Sequence, residues 1–227
     1  MRKLLILTWI SLLGLGAFAQ TTQDFNSPAD SDPKAKALLD KVRAKYDGYK
    51  SVQATFALEI EFPEQPKEVQ EGSVARQGEK YRVKLPSYEA ICNGEAVYLV
   101  MSANKEVQIN NMPAPGETEA IISPESLFDF YNNGKFVYLL VNEFSKNGKV
   151  FAEIEFKPLD RNFDYTKIRM TVNKSTAEVE KVKTFGRDGS RFTLNIKQFT
   201  PNKSFTADYF SFKKADYPGY HVEDLRY

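Results

Sequence analysis

"SVQATFALEIEF", residues 51–62, sorts its side chains two by two. Val52, Ala54, Phe56, Leu58, Ile60 and Phe62 fall on one side of an extended chain; Ser51, Gln53, Thr55, Ala57, Glu59 and Glu61 fall on the other. Successive side chains of a strand point to opposite faces, so a period of two predicts a half-buried β-strand. One face is apolar and the other wet. The nature of the cover over the apolar face decides the fold.

The same pattern recurs along the chain. "EVQEGSVARQ", "EKYRVKL", "YEAICN", "EAVYLVMS" and "KEVQIN" follow between residues 68 and 110, and "KFVYLLVNEFS", "KVFAEIEFK", "YTKIRMTVN", "AEVEKVKTF", "RFTLNIKQF" and "DYFSFK" follow later. Asn93-Gly94, Asn147-Gly148 and Asp188-Gly189 separate strands, and each pair is expected to take positive φ at both central residues of a tight turn. About a dozen strands in one antiparallel, meandering sheet are expected. Helix signals occur twice. Asp32 as N-cap and Pro33 at the first position open a helix with Ala37, Leu38, Lys41, Val42 and Tyr46 along it, closed by Asp47-Gly48. Ser123 and Pro124 open a shorter one, "SPESLFDFYNNG", ending at Asn132-Asn133-Gly134. Two helices cannot shield so many strands as well as fill a closed barrel. The sheet therefore either folds on itself as a sandwich or curls around a cavity with the helices as a lid, and the pattern alone leaves both open.

Residues 1–19 carry Arg2 and Lys3, an apolar run and Ala17-Phe18-Ala19, the small-x-small pattern of signal peptidase cleavage. A secretory signal peptide cleaved before Gln20 is expected, then a polar leader over 20–32 and one domain over 33–227. The apolar run is short for a bilayer span of about 20 residues, and no lipobox cysteine follows it. Removing Arg2 and Lys3 from 31 basic residues against 30 acidic ones leaves a chain close to neutral, which argues against nucleic acid as a partner. Cys92 is the sole cysteine, so no internal disulfide can form, and its expected role is a small buried apolar side chain.

Catalytic patterns find no footing. His221 is the sole histidine and has no partner for a metal or for a nucleophile. Asp160, Asn162 and Asp164 mimic half of a calcium loop, but Tyr165 stands where the loop needs glycine and Thr171 where it needs glutamate. Glu59 and Glu61 lie on the wet face of a strand. No metal site, no cofactor and no enzymatic activity are expected.

The succession "YDGYKSVQATF", "VQEGSVARQGEKYRVKLPSYEAICNGEAVYLVMSANKEVQI", "SPESLFDFY" and "DYFSFKKADYPGYHVEDLR" resembles the periplasmic outer-membrane lipoprotein carrier proteins, the LolA family, across nearly all of the mature chain. The resemblance is carried by "KYRVKLP", "NGEAVYLV" and the closing Phe212, Pro218, Gly219, Val222 and Asp224-Leu225-Arg226. It implies a mainly β (α+β) fold: a large curled antiparallel sheet forming an incomplete barrel, with a helical lid over a hydrophobic cavity. It also implies a non-enzymatic, monomeric periplasmic carrier in a Gram-negative bacterium. Such a carrier takes acylated lipoproteins from an inner-membrane lipoprotein-releasing transporter and hands them to an outer-membrane acceptor. A ligand-sensing or structural envelope domain on the same fold is the alternative.

The implied acyl-chain cavity comprises Phe56, Leu58, Ile60, Tyr81, Val83, Tyr98, Leu127, Phe128 and Tyr131. In the family an arginine latches the lid by hydrogen bonds to backbone carbonyls. Arg76 matches that position and Arg82 competes with it. Family members read Arg-Pro there, whereas Arg76 is followed by Gln77-Gly78, and the family's cavity tryptophans are absent, Trp9 leaving with the signal.

Overall fold

The computed structural model describes residues 27–112 and 134–226. The alternating segment forms β1 (Ser51–Glu61), and β2 (Glu68–Gln77), β3 (Lys80–Lys84), β4 (Tyr88–Cys92), β5 (Ala96–Met101) and β6 (Glu106–Asn111) continue from it as an antiparallel meander. A second meander comprises β7 (Phe136–Lys146), β8 (Lys149–Pro158), β9 (Tyr165–Asn173), β10 (Glu178–Gly186) and β11 (Arg191–Pro201). Pairing of β11 with β1 joins the two into one sheet, and β12 (His221–Asp224) adds to β6 in parallel. The order is β12-β6-β5-β4-β3-β2-β1-β11-β10-β9-β8-β7, with no pairing between the outermost strands. The sheet is an incomplete barrel rather than a sandwich. Among the described residues no helix is long and apolar enough to cross a membrane.

Helix α1 (Pro33–Asp47) lies against the concave side of the second meander. Asp32 caps it, accepting from Lys34 N–H at 2.7 Å, and its carboxylate also accepts from Leu140 N–H of β7. The far end is tied by Lys45, which donates to the Thr176 carbonyl and to Glu178. Its buried stripe is Ala35, Leu38, Leu39, Val42 and Tyr46, so the face is turned from the expected one and Ala37 and Lys41 face solvent. The stripe packs on Phe136, Ile154, Phe156, Ile168, Met170 and Val172. A second apolar cluster, built on Ala54, Phe56, Val74, Val83 and Ala90, lines the first meander. Leu194 and Phe199 of β11 touch both clusters.

Two local expectations are corrected. "DYFSFK" is not a strand: Tyr209 N–H donates to the Thr206 carbonyl and Ser211 N–H to that of Asp208, giving successive turns. The twelfth strand is instead His221–Asp224. Of the three turn pairs, Asn147-Gly148 alone takes positive φ at both residues. At the other two only Gly94 and Gly189 do so, because the preceding Asn93 and Asp188 side chains accept backbone N–H groups and set a different turn.

The chain from 202 to 220 crosses the outer face of the first meander. It is pinned by a half-buried ion pair in which Arg82 Nε donates to Glu89 at 2.6 Å, while the guanidinium also donates to the Tyr209 carbonyl at 2.9 Å. Tyr217 O–H donates to the same Glu89 at 2.8 Å, and burial together with that bond pushes its phenol up to about 12. Tyr98, Phe212, Tyr217 and Tyr220 form a chain of ring contacts alongside. Glu89 has only 9% of its side chain exposed. Glu89→Ala strips the partner from a half-buried guanidinium, so a loss of up to about 3 kcal/mol is expected. Urea unfolding measures it, and limited proteolysis should show new cleavage within 205–220.

Candidate functional site

The concave face of β1 becomes steadily more open along its length: Phe56 is 3% exposed, Leu58 and Ile60 are half-buried, and Phe62 is 42% exposed. Antiparallel register carries the same gradient to β11, where Leu194 stands opposite Leu58 and Phe192 opposite Ile60. Val182 and Thr184 of β10 extend it sideways, and Val74 and Gln70 of β2 do so on the other flank. These residues enclose a cavity of about 770 Å³, lined also by Leu85, Tyr165 and the 186–190 turn. The volume falls within the ~300–1,000 Å³ usual for ligand pockets.

One end is blind. At the level of Ala54, Phe199 meets Tyr46 and Tyr49 of the α1 end, with ring centroids 5.3 and 5.8 Å away. Tyr46 is fixed there by accepting the buried Val179 N–H, and burial raises its phenol to about 12. The other end opens between Phe62 and Phe192, whose rings meet edge to face at 6.0 Å. From Phe56 to Phe62 the floor runs six residues, roughly 20 Å at ~3.3 Å per residue. One leaflet of a bilayer with a ~30 Å hydrocarbon core holds chains of about 15 Å reach. The trough is long enough for such a chain.

Gly72 sets the depth. It stands opposite Phe56, and a Cβ built on it would lie 2.6 Å from the Phe56 ring and 2.8 Å from the Lys84 carbonyl oxygen. Only the missing side chain lets the ring lie flat on β2 and leave the trough open.

Of the residues expected at the cavity, Phe56, Leu58 and Ile60 line it, and Tyr81 and Val83 belong to the apolar cluster at its wall. Tyr98 does not line it: opposite Ile91, it points outward and stacks on Phe212 at 4.9 Å. Leu127, Phe128 and Tyr131, with the whole second helix, lie outside the described residues. The two arginines stand on opposite faces. Arg82 is outward, bound to Glu89 and Tyr209, whereas Arg76 shares the concave face with Val74 and sits opposite Val52 and Tyr81 near the blind end. Arg76 has no hydrogen-bond or ion-pair partner among the described residues. Sequence reasoning missed the mouth residues Asp164, Arg187, Asp188 and Ser190.

Cys92 is buried, with Sγ near the Glu79 carbonyl and Met112 Sδ. His221 is exposed on β12. Glu59 and Glu61 lie on the outer face, bound by Lys67 and Asn195 and by Lys183 respectively. Among the described residues no group of three or more His, Cys, Asp or Glu side chains could hold a metal ion.

Residues 132–213 match the family model described as outer membrane lipoprotein carrier protein LolA. Over that stretch the chain is similar to the LolA family. A crystal structure of an uncharacterized conserved protein from Thermus thermophilus has the same fold, with TM-score 0.54 and 11% identity over 86% of this chain and 99% of that one. Also similar are a LolA superfamily protein from Nitrosomonas europaea (TM-score 0.42, 14% identity, 80% and 98% of the two chains) and LprF from Mycobacterium bovis (TM-score 0.46, 11% identity, 78% and 96%). At such identities the likeness is one of fold. No curated protein matches the chain.

Proposed function

We propose that this LolA-like protein is a periplasmic carrier that holds the acyl chains of lipoproteins in the trough over β1 and moves them from the inner to the outer membrane. The observation that carries the reading is the cavity floor: Phe56, Leu58 and Ile60 form an unbroken apolar stripe that grows more exposed toward the aromatic rim of Phe62 and Phe192. Each methylene buried there contributes about 0.8 kcal/mol, so several chains suffice for capture and release becomes the demanding step. The signal-peptide pattern of residues 1–19 supports export across the inner membrane. The donor in this reading is a lipoprotein-releasing transporter and the acceptor an outer-membrane receptor.

Release needs a closed empty state that competes with cargo. Arg76 is suited to latch it, since it lies on the concave face and its guanidinium carries five donors in a fixed fork. Hydrogen bonds of about 1.5–3 kcal/mol each would keep an empty cavity shut yet still yield to cargo. The test is stepwise: release of labelled lipoprotein from inner-membrane vesicles into the soluble carrier, then transfer to the acceptor. Wild type should do both. Arg76→Leu should accept cargo normally and hand over poorly, because the closed state that follows departure is disfavoured. Normal transfer by Arg76→Leu would remove the latch role, and absence of release into wild-type carrier would remove the carrier reading.

A further inference from the structure

Resting on that reading, we infer that the cavity takes its ligand in one orientation, acyl chains toward Phe56 and Val74 and an uncharged ester- or amide-bearing head at the mouth between Arg187 and Asp164. The distribution of polarity along the trough carries this. Below Ile60 the lining is Phe56, Leu58, Val74, Leu85, Val182 and Leu194; its one polar member, Gln70, has its amide donated to Glu68 at 2.7 Å. Charged lining is confined to the open end, where Asp164, Arg187 and Asp188 gather as the chain turns from β8 to β9 and from β10 to β11.

The three charges are not equally available. Asp188 accepts from Ser190 N–H at 2.9 Å, and its bonds to Ser190 hold its carboxyl below the usual range. Arg187 is anchored at its base, its N–H donating to the Asp164 carbonyl at 2.9 Å and its Nε to the Phe163 carbonyl at 2.7 Å. That leaves the Nη donors without a partner among the described residues, and the same holds for the Asp164 carboxylate. The mouth therefore offers a fixed donor edge beside an acceptor. A free fatty acid or an acidic phospholipid brings a negative charge against two carboxylates and one guanidinium. An acyl ester or amide brings carbonyl oxygens for Arg187 and, in the amide, an N–H for Asp164, with no charge to desolvate. An N-acylated, S-diacylglyceryl peptide terminus has this chemistry, and so does a neutral diacylglycerol.

The experiment uses a synthetic N-acyl, S-diacylglyceryl lipopeptide in two forms, one with a photoreactive diazirine beside the head and one with it at the chain end. Peptides labelled in the full-length protein are identified by mass spectrometry. The head probe should label residues 160–191 and the chain-end probe residues 54–58 or 72–85. Arg187→Ala should weaken lipopeptide binding about three- to tenfold, the range of one exposed hydrogen bond, and scatter the head label while leaving the chain-end label in place. Asp164→Asn should improve palmitate binding relative to the lipopeptide. Dioleoylglycerol tests the second source: binding as sensitive to Arg187→Ala as the lipopeptide shows that the ester carbonyls suffice, and insensitivity assigns recognition to the amide. Reversed or uniform labelling, or an Arg187→Ala protein that binds and labels like wild type, overturns the orientation. No labelling by either probe contradicts the carrier reading itself.

Discussion

Leu58→Glu should abolish capture of acylated lipoprotein while leaving the fold standing. Leu58 lies mid-trough, opposite Gln70 on one side and Leu194 on the other, and is only half-buried. A carboxylate there can reach water through the open mouth, so the cost to stability should stay near about 1–3 kcal/mol, the ordinary range for a point substitution. Acyl chains, by contrast, would have to desolvate the charge or leave the middle of the floor uncovered, and the binding loss should exceed two orders of magnitude. The checks are a cooperative thermal transition and loss of lipoprotein release from inner-membrane vesicles. Collapse of the transition would mean that the residue is enclosed in a packed core, where an unpaired charge is far more costly.

Gly72→Val should narrow the same trough from its wall. The new Cβ meets the Phe56 ring at 2.6 Å and the Lys84 carbonyl oxygen at 2.8 Å, one a buried side chain and the other backbone of the neighbouring strand. The ring must swing into the cavity or β3 must move away from β2. Overpacking of this kind costs about 1–3 kcal/mol, which for a chain of this size lowers Tm by about 2–12 °C. Binding of long acyl chains should fall more than binding of short ones, because Phe56 would occupy the deep end first. Phe56→Leu in the Gly72→Val background should restore binding in part, since the smaller side chain removes the ring contact. If Gly72→Val binds all chain lengths as wild type does, the close approach of Phe56 to β2 does not shape the cavity.

Eleven of the twelve strands among the described residues are legible because nearly all keep one apolar face in a period of two, and Pro33 after Asp32 marks the start of α1. The twelfth was hidden: "HVED" is four residues long, charged, and pairs in parallel at an edge, so it has no apolar alternation to read. "DYFSFK" misled because its aromatic residues serve a cross-face strap rather than a sheet. Tyr98 was misplaced for a related reason. The 205–220 strap buries the outer side of the first meander, so "AVYLVM" is apolar on both faces and its pattern does not say which one is concave. Arg76 and Arg82 compete in the sequence because Gln77-Gly78 follows Arg76 where the family reads Arg-Pro, and register puts the two on opposite faces. The mouth residues sit in turns, where no periodicity marks them; pairing of β11 with β1 and of β9 with β10 brings Arg187 and Asp164 to the Phe62 end.

The most direct test of the acyl-chain carrier is what the protein holds when it leaves the cell envelope. Native protein would be isolated from the periplasm without detergent, and the species eluting with it identified by intact mass spectrometry, wild type beside Leu58→Glu. The account predicts acylated lipoprotein bound to wild type at a one-to-one ratio and none bound to Leu58→Glu. Wild-type protein that elutes free of acylated species, and that releases none from inner-membrane vesicles when supplied in excess, would contradict it.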